Sequence, residues 1–244
     1  MAETKNICVV FIRANTGLGK ISRRLTSYPY THIAVSPDEK LTRFYTYSRR
    51  RHYAPFDAGL MCEHRCHYIF GKYKDVDVRV YAIPADAAAR RRVKAFIGDI
   101  RKDGTYLFNY FGTVLSPLSG GIRIEKAYNC MSFTAHILEE CCGITLPKPY
   151  WKMRLQEIEE ALADHPHHDE TLLPDEEEDK RYMDKRALLT APFFLFLLTG
   201  RLLHRIVNKE AVTLPDRGCR RSRRWRRRRP SDWRGREIPP RRNI

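Results

Sequence analysis

Thirteen arginines fall between residues 217 and 244, opposed there by only Asp232 and Glu237. A stretch of that composition cannot bury enough apolar surface to offset the entropy of ordering it, so any core must come from the chain before it. The same segregation weakens an apparent nucleic-acid signature. Of the formal net charge of +16, the segment from 217 onward carries +11, which leaves +5 for everything else. With 43% hydrophobic and 11% aromatic residues in 244, the remaining chain is long and apolar enough for one sizeable domain.

Residues 1–155 read as that domain. Buried or half-buried strands are expected at Asn6 to Ile12, His32 to Ser36, Arg43 to Tyr47 and Val76 to Ile83, with PDEK forming a turn between the second and third. Val93, Phe96, Ile97 and Ile100 give the region from Ala85 to Gly104 the one-sided spacing of a core helix. TYLFNYFGTVLSPLSGG reads as short helix plus loop, and GLGK at 17–20, lacking full phosphate-loop spacing, reads as a turn. From 156 to 186 the chain reads as an acidic, partly helical connector. Residues 187–210, beginning ALLTAPFFLFLLTG, are the most apolar stretch, expected as a docked element or a membrane-surface helix. Residues 211–244 form the Arg-rich tail, expected to be disordered.

YNCMSFTAHILEECCGI (128–144) holds the chemistry. Cys130, Phe133, Thr134, Ile137, Leu138 and Cys141 make one helical stripe, Ser132, His136, Glu139 and Glu140 lie off it, and Gly143 supplies the stop. A thiol at a helix N-terminus sees the positive end of the macrodipole and unpaired backbone N–H groups, which favour thiolate. Unbonded cysteine is also commonly a small buried hydrophobe, so the chemical reading needs a base. Among nine histidines, His32 opens the apolar strand THIAVS after the aromatic SYPYT, where its ring projects from a strand end; a satisfied core histidine is an equal reading of those residues.

GKISRRLTSYPYTHIAVSPDEKLTRFYTYSRR, DAGLMCE, TYLFNYFG and YNCMSFTAHILEECCGITLPKP, in that order over residues 6–155, resemble the permuted papain-like cysteine hydrolases of the NlpC superfamily, the YiiX/YebB-like group. The histidine motif is matched by Tyr30, His32, Ile33 and Val35, and the cysteine motif by Tyr128, Asn129, Cys130 and Phe133. The resemblance implies an α+β, circularly permuted papain-like fold: an antiparallel sheet packed with helices and a nucleophile at a helix N-terminus. It further implies Cys130 as nucleophile and His32 as its base. For the third group, Tyr45, Tyr47, Ser48 and Arg49 follow on the next strand. Glu63 is preferred, because resembling proteins often carry an acid there and a carboxylate stabilises imidazolium. The chain departs from the family after the cysteine, with Met131 and Ser132 where Ser or Ala and then Glu or Gln are usual.

The implied activity is cysteine-dependent hydrolysis or acyl transfer at an amide or acyl bond through a thioester, on a peptide, lipopeptide or lipid acyl substrate. No cofactor is expected. CEHRCH at 62–67 lacks a well-spaced second ligand pair, so no metal is expected either. Seven cysteines without framework spacing, and no apolar leader core at the N-terminus, point to a reducing cytoplasm. The apolar run beside the arginines allows a position peripheral to an anionic membrane. The alternatives are an inactive papain-like scaffold, which the Met131 and Ser132 departure favours, and a protein that binds nucleic acid or an anionic surface through residues 217–244.

Overall fold

The unbroken apolar run from Ile7 to Ile12 in KNICVVFI makes β1 (Lys5–Ile12) a strand with two buried faces. In the computed structural model, which describes residues 5–114, 122–174 and 179–208, this strand lies inside a six-stranded sheet. Its neighbours are β2 (His32–Ser36) and β5 (Val76–Ala85), and β3 (Phe44–Arg51), β4 (Ala54–Glu63) and β8 (His167–Leu172) complete the order β4-β3-β2-β1-β5-β8. Every neighbouring pair is antiparallel. The protein is thus a mixed α+β fold, an antiparallel sheet packed with helices.

Strand parity divides the core. Ile7 joins Val35, Tyr47 and Ala85 against α2 (Ala87–Lys102), while Val9 and Phe11 join Ile33, Tyr81 and Ile83 against Ala135 and Leu138. Cys8, Val10 and Ile12 point the other way, toward Phe44, Tyr68, Ile69 and the inner valines of β5. Asp86 caps α2 by accepting the Ala89 N–H, and Val93, Phe96, Ile97 and Ile100 are its buried stripe, as the spacing predicts.

A second, two-stranded sheet pairs β6 (Leu107–Phe108) with β7 (Ala127–Tyr128) in parallel, with α3 (Tyr110–Val114) between them. β7 runs directly into α4 (Cys130–His136), which continues as a π-helical turn over Ile137–Cys141 and stops at Gly143, whose φ of +77° suits glycine. Next come α5 (Leu155–Ala161), then β8, then a 3-10 turn (Lys185–Thr190) leading into α6 (Ala191–Val207).

Several expectations are corrected. GLGK is not a turn but the start of α1 (Gly17–Thr26), capped by the Thr16 side chain accepting from Gly19 N. At Gly19 a Cβ would lie 2.7 Å from the Ala14 carbonyl oxygen, so only glycine lets the helix start so close to the preceding loop. The acidic stretch expected as a connector contributes β8, whose residues pair with β5 through backbone bonds while most of their side chains stay in solvent. The apolar run, expected as a docked element or a membrane-surface helix and so not among these corrections, forms α6, which packs on the domain through Leu198 and Leu202. The Arg-rich tail lies outside the described residues.

Candidate active site

Glu63, the last residue of β4, is 2% exposed, and a carboxylate so placed needs partners. It has three. Ser48 Oγ donates to Oε1 and the Tyr68 hydroxyl to Oε2, both at 2.5 Å, and His32 Nε2 lies 3.2 Å from Oε2. Burial alone would raise the Glu63 pKa; hydrogen bonds from His32, Ser48 and Tyr68, with the imidazole charge, overcome it and hold the carboxyl well below its ordinary value.

His32 opens β2, and its side chain is 14% exposed. Burial would lower its pKa, but hydrogen bonding to Cys130 and to Glu63 outweighs that and raises it well above the usual histidine range. Imidazolium and carboxylate are therefore the favoured forms of this pair. Since Nε2 faces Glu63, Nδ1 is the ring nitrogen left for the sulfur. Cys130 packs with the cluster on the helix side of the sheet and Tyr68 belongs to the opposite one, so the ring at the strand end connects the two.

Cys130 is the first residue of α4, half-buried and unbonded to another cysteine. Asn129 is the N-cap: its Oδ1 accepts from Ser132 N at 2.8 Å, and Ser132 Oγ accepts from Asn129 N at 3.0 Å. Ser132 thereby closes the reciprocal box that Glu or Gln closes in other helices, so Met131 and Ser132 leave both bonds of the box in place. The N–H groups of Cys130 and Met131, first in the helix, have no intrahelical acceptor. Behind the cysteine, Phe133, Ile137 and Leu138 are completely buried and fix the helix across β2 and β3.

A cavity of 260 Å³ opens on the Glu63 side, lined by His32, Glu63 and Tyr68 together with Asn15, Thr16 and Arg49. Cys130 is not among its lining residues. The structure thus brings together His32, Glu63 and Cys130. Of the other candidates for the third group, Ser48 hydrogen-bonds Glu63 rather than His32, and Arg49 lines the cavity and donates to the Tyr182 hydroxyl. Tyr68 was not anticipated; the only sequence signal was that a buried tyrosine must find a partner for its hydroxyl.

His136 corrects the helix reading. It lies not on a polar face but 2% exposed, stacked on Phe96 with ring centroids 4.4 Å apart. Ser132 is likewise buried, through its capping role. Among the described residues no group of three His, Cys, Asp or Glu side chains could hold a metal ion. No family model matches this chain, and neither curated proteins nor solved structures provide a match.

Proposed function

We propose that the protein is a cysteine-dependent hydrolase or acyltransferase of the permuted papain-like type, with Cys130 as nucleophile, His32 as acid and base, and Glu63 orienting His32. What supports this reading is the ring of His32, whose Nε2 lies 3.2 Å from a fully partnered carboxylate and whose pKa, against the effect of burial, is raised by Cys130 and by that carboxylate. In the attacking state the thiol proton sits on His32. The sulfur adds to the carbonyl carbon of an amide or ester, the carbonyl π electrons move onto oxygen, and the N–H groups at the start of α4 stabilise that oxyanion. Collapse breaks the bond to the leaving group, which takes the proton from His32 and leaves a thioester. Water or another nucleophile then attacks the thioester, giving its proton to His32 while the sulfur departs. The six unbonded cysteines among the described residues fit a reducing compartment such as the cytoplasm.

The test is labelling of intact protein by a small thiol-directed electrophile at limiting concentration, located by peptide mass. Cys130 should react first, and His32→Ala should slow it at least tenfold. Preferential labelling elsewhere, or indifference to His32→Ala, defeats the proposal and leaves the inactive scaffold.

A further inference from the structure

We propose that the outward face of α6 lies in the interfacial layer of an anionic lipid bilayer, with the helix axis parallel to the membrane plane. This surface is separate from the Cys130 set and stands independently of its chemistry. One side of α6 is attached to the domain. Leu198 and Leu202 are buried among Leu107, Ile124 and Ala127, the Tyr110 hydroxyl meets Thr199 Oγ1 at 2.7 Å, and the Arg205 guanidinium donates to the carbonyls of Glu125, Lys126 and Thr105.

The opposite side is a continuous apolar stripe in water. Phe193, Phe196, Leu197, Leu203 and Val207 are 62%, 81%, 43%, 47% and 75% exposed, and at helical spacing they share one face with Gly200, broken only by His204. An apolar face that long on a soluble surface marks an interaction site. The attached side decides the orientation. The segment Lys185–Val207 is long and apolar enough by composition to cross a membrane. Crossing, however, would strip Arg205 from its three carbonyls and expose Leu198 and Leu202, whereas lying flat keeps every one of these contacts.

Charge selects the partner. Lys185 and Arg186, in the turn that leads into α6, and Arg201 on it are exposed, with Asp184 the one exposed acid adjoining them, and the sequence continues after the helix into thirteen arginines. Anionic headgroups complement that surround. A second copy of this chain would bring the same positive charge against itself.

Full-length protein should sediment with phosphatidylcholine vesicles containing about a third phosphatidylglycerol, and less with phosphatidylcholine alone. Phe193→Gln with Phe196→Gln, two exposed positions whose change leaves the fold intact, should cut partitioning at least tenfold with an unchanged circular dichroism spectrum. With Trp151, Trp225 and Trp233 replaced by Phe, a single tryptophan introduced as Phe193→Trp, Gly200→Trp or Val207→Trp should be quenched equally by brominated lipid at one shallow depth; at Gly200 an added Cβ meets nothing within 4 Å. Protein left in the supernatant, sedimentation unaffected by the double substitution, or markedly deeper quenching at 200 would each overturn the proposal. So would a dimer that dissociates on the double substitution without any lipid binding, which would assign the face to a second copy.

Discussion

Two Cys–His–acid sets lie within the described structure, and they differ in how the ring and its acid are held. Cys66 Sγ is 3.6 Å from His67 Nδ1, and His67 Nε2 is 3.7 Å from Asp179 Oδ2, a sequence of groups that superficially matches Cys130, His32 and Glu63. Yet His67 Nδ1 already accepts the His64 backbone N–H at 3.0 Å, which occupies its lone pair and puts the ring proton on Nε2. It cannot take a proton from Cys66. Asp179 is 41% exposed and too far from the ring for a hydrogen bond, whereas Glu63 is buried and held by Ser48 and Tyr68. Cys66 is enclosed at 3% exposure, while Cys130 begins a capped helix. Sulfur beside imidazole is thus a cheap coincidence in a histidine-rich chain. The anchored carboxylate on the far side of the ring is what separates the two sets.

Substitution in parallel sharpens that contrast. The largest effect is expected from Cys130→Ala, which should abolish active-site labelling and lower turnover of any substrate found by more than about a thousandfold, while Cys66→Ala leaves both in place. His32→Ala should cost about a hundredfold to ten-thousandfold in turnover. His67→Ala should instead act on stability alone, by about 2 to 3 kcal/mol for the emptied buried site, read as a melting shift with labelling retained.

Glu63→Gln probes the discriminating group. It should lower the His32 ring titration followed by NMR, and Asp179→Asn should leave that ring unmoved. The pH dependence has a defined sign. His32 is raised in the folded state, so its contribution is complete below the unfolded value of about 6.5 and is lost as pH rises through the raised one. Glu63 is lowered, so its contribution is complete above about 4.5 and is lost as pH falls through the lowered one. The stability gap between wild type and Glu63→Gln should therefore be widest between those two values in urea denaturation. The smallest effect is expected from Tyr68→Phe, which removes one donor to Glu63 while keeping the ring, at a cost of about 1 kcal/mol.

What the sequence revealed followed side-chain pattern. β2 is legible to the residue, and β1, β5 and α2 within two, because β1 and β2 are unbroken apolar runs of strand length while β5 and α2 repeat their burial at the period of the element. β4 was missed: APFDAGLMCE buries Ala54, Ala58, Gly59 and Glu63 without alternation, so its strand state rests on pairing with β3. HHDETL hides its strand for the same reason, since an edge strand with solvent-facing charges carries little apolar signal. α1 was obscured by two glycines and by polar ends that serve as caps. At the site, the approach of Cys130, His32 and Glu63 came from motif likeness rather than periodicity, because contacts between distant strands leave no local trace. His136 misled for a physical reason: helical spacing assigns a face, but α4 is enclosed on both sides once Phe96 and Tyr150 cover its second flank.

β8 has a practical consequence for how the chain can be shortened. A fragment ending near residue 155 would retain all three residues of the candidate site, yet it would bare the hydrogen-bonding edge of β5 from Val76 to Tyr81. An unprotected apolar strand of that length recruits strands from other molecules. Such a fragment should precipitate or self-associate, so soluble preparations need to extend at least through Leu172.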